Sequence, residues 1–170
     1  MGELTERILR VNHAGEHGAV QIYRAQALVC SLLFEDVVPR LHEMLEHERR
    51  HLDDFAAVMQ TRGVRPCRAL GLWALGGFVL GAVTALLGRN AIWACTEAIE
   101  SSVLCHLNWQ LDYLSVHDTE LRAVVLGIIA DEEDHRDYGL SQCRPGLRAS
   151  TVALVARAST KLAIWLSERM

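Results

Sequence analysis

Glu and His recur in this sequence at a spacing that suits metal chemistry. A Glu-x-x-His element occurs at Glu48/His51 and again at Glu132/His135. Residues three apart share a helix face, so each pair presents a carboxylate and an imidazole side by side. Two such pairs prove little in a chain with 13 Glu and 8 His. The longer spacing is more specific. Glu16 lies 32 residues before Glu48, and Glu100 lies 32 before Glu132. The chain thus holds two copies of E-x31-E-x-x-H, offset by 84 residues. Each copy is sized for one helical hairpin, with a lone Glu on its first helix and the pair on its second.

Four Glu and two His distributed in this way form the donor set of a di-iron carboxylate bundle. Carboxylates bridge two metals and lower their charge, while one imidazole per metal completes the shell and leaves positions open for dioxygen. Buried without metal, the same carboxylates would cost several kcal/mol each. The candidate ligands are Glu16, Glu48, His51, Glu100, Glu132 and His135. A competing motif overlaps them, because His47-Glu48-Arg49-Arg50-His51 is a literal HExxH, the zinc-protease signature. That reading needs a third ligand downstream, yet no Asp, Glu or His occurs between Asp54 and Glu97. It also leaves the second hairpin unexplained.

The remaining histidines have blander readings. His13 and His17 flank Glu16 and suit supporting or surface positions; His42 and His117 suit exposed ones. His106 shares a helix with Glu100 and is the candidate catalytic residue, placed to reach substrate. Asp131 could orient a ligand histidine across the site, or be solvated.

These side chains require helices to position them, and helical periodicity dominates the chain. A first helix is expected over about Leu4–Phe34. A second is opened by Pro39 and runs to about Thr61, before the Arg65-Pro66 break. A third covers about Asn90–Val116, and Asp118 is a plausible N-cap for a fourth, to Asp137. After the Arg144-Pro145-Gly146 turn, Ser150 or Thr151 starts a last helix. The expected architecture is one all-α domain. Its paired hairpins occupy about 4–62 and 90–138, with an apolar insert at about 66–88 and a C-terminal helix at about 150–169.

The insert, Ala69–Gly88, is a charge-free stretch of 20 residues. A helix of that length spans about 30 Å, enough to cross a hydrocarbon core. Crossing would place the hairpins on opposite sides of the bilayer and separate the ligands. The segment is therefore expected as a buried helix or one lying in the interface. Gly77-x-x-x-Gly81 would permit close helix approach, but a lone GxxxG is a weak signal.

Composition narrows the function classes. A hydrophobic content of 51% and a net charge of −4 exclude disorder, and mild acidity argues against a nucleic-acid binder. The charge is unevenly spread. Residues 55–96 carry +4, residues 138–170 carry +4, and the remainder −12. Arg-rich apolar segments suit an anionic membrane surface, with packing against the bundle as the alternative. Five scattered Cys read as free thiols in a reducing compartment. The opening residues, MGELTERILRV, show neither signal- nor transit-peptide character, which points to a cytosolic, mature or trimmed chain.

The sequence resembles the demethoxyubiquinone hydroxylases of ubiquinone biosynthesis, a ferritin-like family. The resemblance is carried by RILRVNHAGEHGA, HERRHL, the segment around Leu72-Trp73, GAVTALLG, ACTEAIE, DEEDHRDYGL and the closing AIWLSERM. It implies a ferritin-like four-helix bundle with additional apolar helices for membrane-surface association. It also implies the same six metal ligands holding two Fe ions, and oxygen-dependent hydroxylation of a polyprenylated quinone or quinol ring. O2 is then the co-substrate, and NADH the electron donor. No Gly-rich nucleotide fingerprint is present, so an NADH site would be unconventional. The implied location is peripheral or monotopic on the inner membrane, at a bacterial cytoplasmic or mitochondrial matrix face. A homo-oligomer is compatible with it, and mitochondrial members imply a lipid-binding partner protein. Where some members carry His-Tyr, this chain has His106-Leu107. The alternatives are a quinol oxidase, a tRNA hydroxylase, an iron store or a metal-free helical interaction protein.

Overall fold

A computed structural model describes residues 2–169. It contains six α-helices and, among the described residues, no strand. Helix α1 spans Glu3–Leu33 and leads through a short 3-10 turn, Glu35–Val37, into α2, Val38–Arg62. Then come α3, Leu70–Leu86; α4, Arg89–His117; α5, Thr119–Gln142; and α6, Leu147–Ser167. The fold is an all-α, ferritin-like bundle.

Local chemistry sets the boundaries. Pro39 sits in the first turn of α2, where its missing N–H costs nothing. Gly63 closes that helix in the left-handed region, φ 65°. Its N–H bonds Gln60 O while Val64 N–H bonds Met59 O. Asp118 caps α5, its carboxylate accepting from Leu121 N at 3.0 Å, as expected. Arg62 bonds the same carboxylate, tying the end of α2 to the start of α5. Two boundaries differ from expectation. Helix α5 continues beyond Asp137 to Gln142. Helix α6 starts at Leu147, because Asn90 holds the preceding turn: Asn90 Oδ1 accepts from Arg144 N (2.6 Å), and its Nδ2 donates to Arg144 O (3.0 Å).

The packing order shows a repeat larger than a hairpin. Helix α1 packs on α2 and α3; α4 packs on α5 and α6. Helices α3 and α6 thus occupy corresponding places in two three-helix halves. Gly77 and Gly81 make the α1–α3 contact possible. A Cβ on Gly81 would lie 2.9 Å from Ile22 Cα, and one on Gly77 would lie 3.2 Å from Gly18 C. The GxxxG is therefore a close-packing element. Only the 17 residues Leu70–Leu86 of the apolar stretch are helical. Among the described residues, no helix is long and apolar enough to cross a membrane.

Two apolar clusters fill the bundle's ends. One gathers Val20, Cys30, Leu41, Met44 and Ile92; the other gathers Leu9, Phe55, Leu114, Leu121 and Val125. Burial of each large side chain contributes roughly 1.5–3 kcal/mol. Along α1, α2, α4 and α5 the candidate ligands fall between the two clusters, at the middle of the bundle. The apolar ends therefore hold polar groups at the centre.

Candidate metal centre

All six predicted ligands converge, and none is more than 4% exposed. They form two overlapping groups. Glu16, Glu48, His51 and Glu132 offer atoms within 4.8 Å of one another, and so do Glu48, Glu100, Glu132 and His135. Glu48 and Glu132 belong to both groups, so the two Glu-x-x-His carboxylates are shared. Each group adds one lone Glu and one His from the same half.

The histidines face inward through Nδ1. His51 Nδ1 lies 3.2 Å from Glu132 Oε1, and His135 Nδ1 lies 3.2 Å from Glu48 Oε1. Their outer nitrogens are held from the opposite hairpin. His51 Nε2 is 3.0 Å from Asp131 Oδ2, and His135 Nε2 is 3.1 Å from His47 Nδ1. Asp131 thus orients a histidine across the site. His47 stacks on His135 and is absent from both candidate metal groups, so the HExxH motif is not used in the zinc-protease manner. Tyr23, which sequence reasoning missed, donates its hydroxyl proton to Glu100 Oε1 at 2.5 Å. Its signal was present: Tyr23 lies seven residues after Glu16, on the same face of α1.

The electrostatics of the cluster fit a cation. Burial, and then the charges of neighbouring carboxylates, hold Glu48 and Glu100 well above the usual carboxyl range. Burial and Glu16 push Glu132 up to about 8. Burial, with His47 and His51 nearby, pushes His135 down to about 3. For Asp131 burial acts upward, but hydrogen bonds from His51 and Arg50 hold it below its usual range. Glu48 Oε1, both Glu132 carboxylate oxygens, His51 Nδ1 and His135 Nδ1 are buried without a hydrogen-bond partner. Five orphaned donor atoms at one point are costly in a protein core unless something binds them. Carboxylate and imidazole donors suit divalent first-row metals.

A cavity of about 410 Å³ opens onto this cluster. Glu16, Glu48, Glu100 and Glu132 line its polar end, while Leu72, Trp73 and Leu80 of α3 and Leu162, Ile164 and Leu166 of α6 line its apolar part. His106 lines it too. Trp109 Nε1 donates to His106 Nδ1 at 3.2 Å, so the neutral ring carries its proton on Nε2, which is buried and unpartnered. His13 is buried with Nδ1 unpartnered, makes no hydrogen bond to the six and does not line the cavity. His42 and His117 are exposed, as expected. All five cysteines are free thiols, also as expected.

Residues 3–167, from the start of α1 to the end of α6, match the family described as ubiquinone biosynthesis protein COQ7. The chain belongs to this family. The COQ7 match thus takes in both halves, with α3 and α6 as integral parts. Over 168 residues the chain is 40% identical to the 3-demethoxyubiquinol 3-hydroxylase of Rhodospirillum rubrum, covering 98% of this chain and 79% of that protein. It is 40% identical over 170 residues to the human NADPH-dependent 3-demethoxyubiquinone 3-hydroxylase, mitochondrial, covering 97% of this chain and 77% of that one. A yeast 5-demethoxyubiquinone hydroxylase, mitochondrial, is 38% identical over 110 residues, 65% of this chain and 47% of that one.

Proposed function

We propose that this chain is an oxygen-dependent di-iron hydroxylase of ubiquinone biosynthesis, acting on the ring of a polyprenylated demethoxy-quinone or quinol. One observation carries the reading: an apolar cavity ends on a buried cluster of four carboxylates and two imidazoles. Relatives that cover nearly the whole chain are named as hydroxylases of this class of compound. Those names do not favour the oxidase, tRNA-hydroxylase or iron-store alternatives.

Glu16, Glu48, His51, Glu100, Glu132 and His135 would hold the two iron ions. Bound there, iron supplies the redox chemistry that reduces dioxygen and delivers one oxygen atom to the ring. The chain's own residues do the rest. Asp131 and His47 hold the imidazoles with Nδ1 inward, and Tyr23 fixes the Glu100 carboxylate. The aliphatic walls from α3 and α6 exclude water and admit an isoprenoid tail. His106 offers its Nε2 proton to a ring oxygen, which orients the ring toward the carboxylates. This is the role we assign to it as the candidate catalytic residue.

We place the outer faces of α3 and α6 against a membrane surface. Leu72, Leu75 and Val79 on α3 and Leu154, Leu162 and Trp165 on α6 are exposed there. The surface would be that of the inner membrane, at a cytoplasmic or matrix face. The electron donor in this reading is a nicotinamide nucleotide. The family resemblance implies NADH, while the human relative's name specifies NADPH.

A turnover assay tests the proposal. Iron-loaded protein, a short-tail demethoxyquinone, oxygen and NADH or NADPH should give a product one oxygen heavier by mass spectrometry. Oxygen consumption without that product would overturn the hydroxylase reading. Failure to bind about two irons per chain would overturn the di-iron one.

A further inference from the structure

The 84-residue offset relating the two ligand sets extends one position further, pairing residue 47 with residue 131. Each precedes the Glu of its Glu-x-x-His, and each backs the histidine of the other hairpin. The placement matches, but the chemistry differs. Asp131 is a carboxylate, anchored by Arg50 Nη2 at 2.7 Å, and it sits directly on His51 Nε2. Being acceptor-only, it keeps the proton on Nε2 and leaves Nδ1 as a lone-pair donor toward Glu16 and Glu132. His47 is an imidazole. To leave His135 Nδ1 free toward Glu48, it must accept from His135 Nε2 through its own Nδ1. The Asp131 carboxylate lies 3.6 Å from that atom, beyond a hydrogen bond, so its charge reaches His135 only at second hand. A carboxylate partner raises the basicity of a ligating imidazole more than a neutral acceptor does.

We propose that the two metal positions are built unequal, and that the Glu16/His51 position, backed by Asp131, takes up a divalent metal first. Asp131 and His47 are the positioning residues that set the difference. The inference rests on the reading of the six residues as ligands to two metals. Both histidines point Nδ1 inward at the same 3.2 Å from a shared carboxylate. The inner geometry is therefore balanced, and the asymmetry lies in the residue behind each ring.

The test is a calorimetric titration of the metal-stripped full chain with Co(II), followed in parallel by its visible absorption. Two steps are expected, the first roughly 10–100-fold tighter, the range in which supporting residues act on metal affinity. Asp131→Asn should weaken the first step by that factor, and His47→Asp should strengthen the second, so either change draws the steps together. Glu100→Ala should retain the tight step and Glu16→Ala only the weak one. Equal steps in the parent chain, or steps unmoved by both substitutions at 47 and 131, would overturn the proposal. So would a tight step lost with Glu100 rather than Glu16. Uptake of fewer than two cobalt ions by the folded parent chain would overturn the two-metal ligand reading instead. A circular-dichroism melt of each variant separates loss of affinity from loss of fold.

Discussion

The two halves of the molecule carry the same candidate ligands in the same places and differ in nearly everything around them. In α1 the position seven residues after the lone Glu is Tyr23, which bonds Glu100; its counterpart in α4 is Leu107, which packs in an apolar cluster. His47 in one half answers Asp131 in the other. Helix α3 meets α1 through glycines, whereas α6 meets α4 through Ala149, Val152 and Ala156. Positions that form the carboxylate–imidazole cluster are duplicated. Positions that give the cavity its shape and the cluster its surroundings have diverged. A symmetric cluster of carboxylates and imidazoles thus sits in an asymmetric shell, and its four carboxylates line one cavity.

The sharpest way to break this comparison is through the shared carboxylates. Glu48 and Glu132 each belong to both candidate metal groups, whereas Glu16 and Glu100 belong to one. Glu48→Ala or Glu132→Ala is expected to abolish turnover and reduce bound iron below about one per chain, with helicity largely kept. Glu16→Ala or Glu100→Ala should retain about one metal. Iron analysis beside circular dichroism checks both. Equal losses at all four positions would remove the distinction between shared and private ligands.

The helix contacts come next. Gly81→Val would drive a side chain into the α1 backbone at Ile22, where backbone cannot move aside cheaply. Overpacking of this kind costs roughly 1–3 kcal/mol or more, which in a chain of this size lowers Tm by several degrees. Ala153→Val on α6, where the neighbours are side chains, should cost less than about 1 kcal/mol. Thermal melts of the two variants measure how differently α3 and α6 are attached.

Much of this was legible in the sequence. The E-x31-E-x-x-H repeat located all six clustered residues, since helix periodicity fixes which face a residue occupies. Pro39 and Asp118 marked helix starts because their effects are local. The missed features depend on contacts between elements. Tyr23 matters because of where Glu100 lies, 77 residues away, and His47 because of a histidine on another helix. Applying the 84-residue offset to the flanks of each motif would have paired His47 with Asp131. The Gly77/Gly81 contact is only weakly signalled, because a GxxxG alone does not say whether a partner backbone is there.

The cluster also predicts a pH effect that metal should cancel. In the metal-free chain Glu132 titrates near 8 when folded and near 4.5 when unfolded. The folded state then holds a proton that the unfolded state has released. That stability is complete below the unfolded value and is lost as pH rises toward 8. His135, low when folded, acts oppositely but only below its unfolded value of 6.5. Between about pH 6.5 and 8 the metal-free chain should therefore lose stability, by at most about 2 kcal/mol for this one proton. Bound metal displaces the proton and should flatten the slope. Denaturant melts at both pH values, with and without Co(II), check the sign; a metal-free chain that gains stability over this window would contradict it.

The smallest expected effect tests the divergence between Tyr23 and Leu107. Tyr23→Phe removes the donor to Glu100 Oε1 and leaves that buried oxygen to the cluster alone, a loss of about 1–2 kcal/mol. The change falls on one private ligand, so it should weaken the metal position containing Glu100 and His135 and leave the one containing Glu16 and His51 nearly unaltered. Leu107→Tyr places a hydroxyl at the corresponding point of α4, where the neighbours include Ile8 and Phe55 of an apolar cluster. An unsatisfied hydroxyl there costs rather than stabilises. Tyr23 serves the lone Glu of the other half, so if the halves were interchangeable the hydroxyl from Leu107→Tyr would serve Glu16, and the double variant would shift support from the Glu100/His135 position to the Glu16/His51 position. If the surrounding cluster decides, it would be worse than either single change, and a Co(II) titration of the three variants tells which.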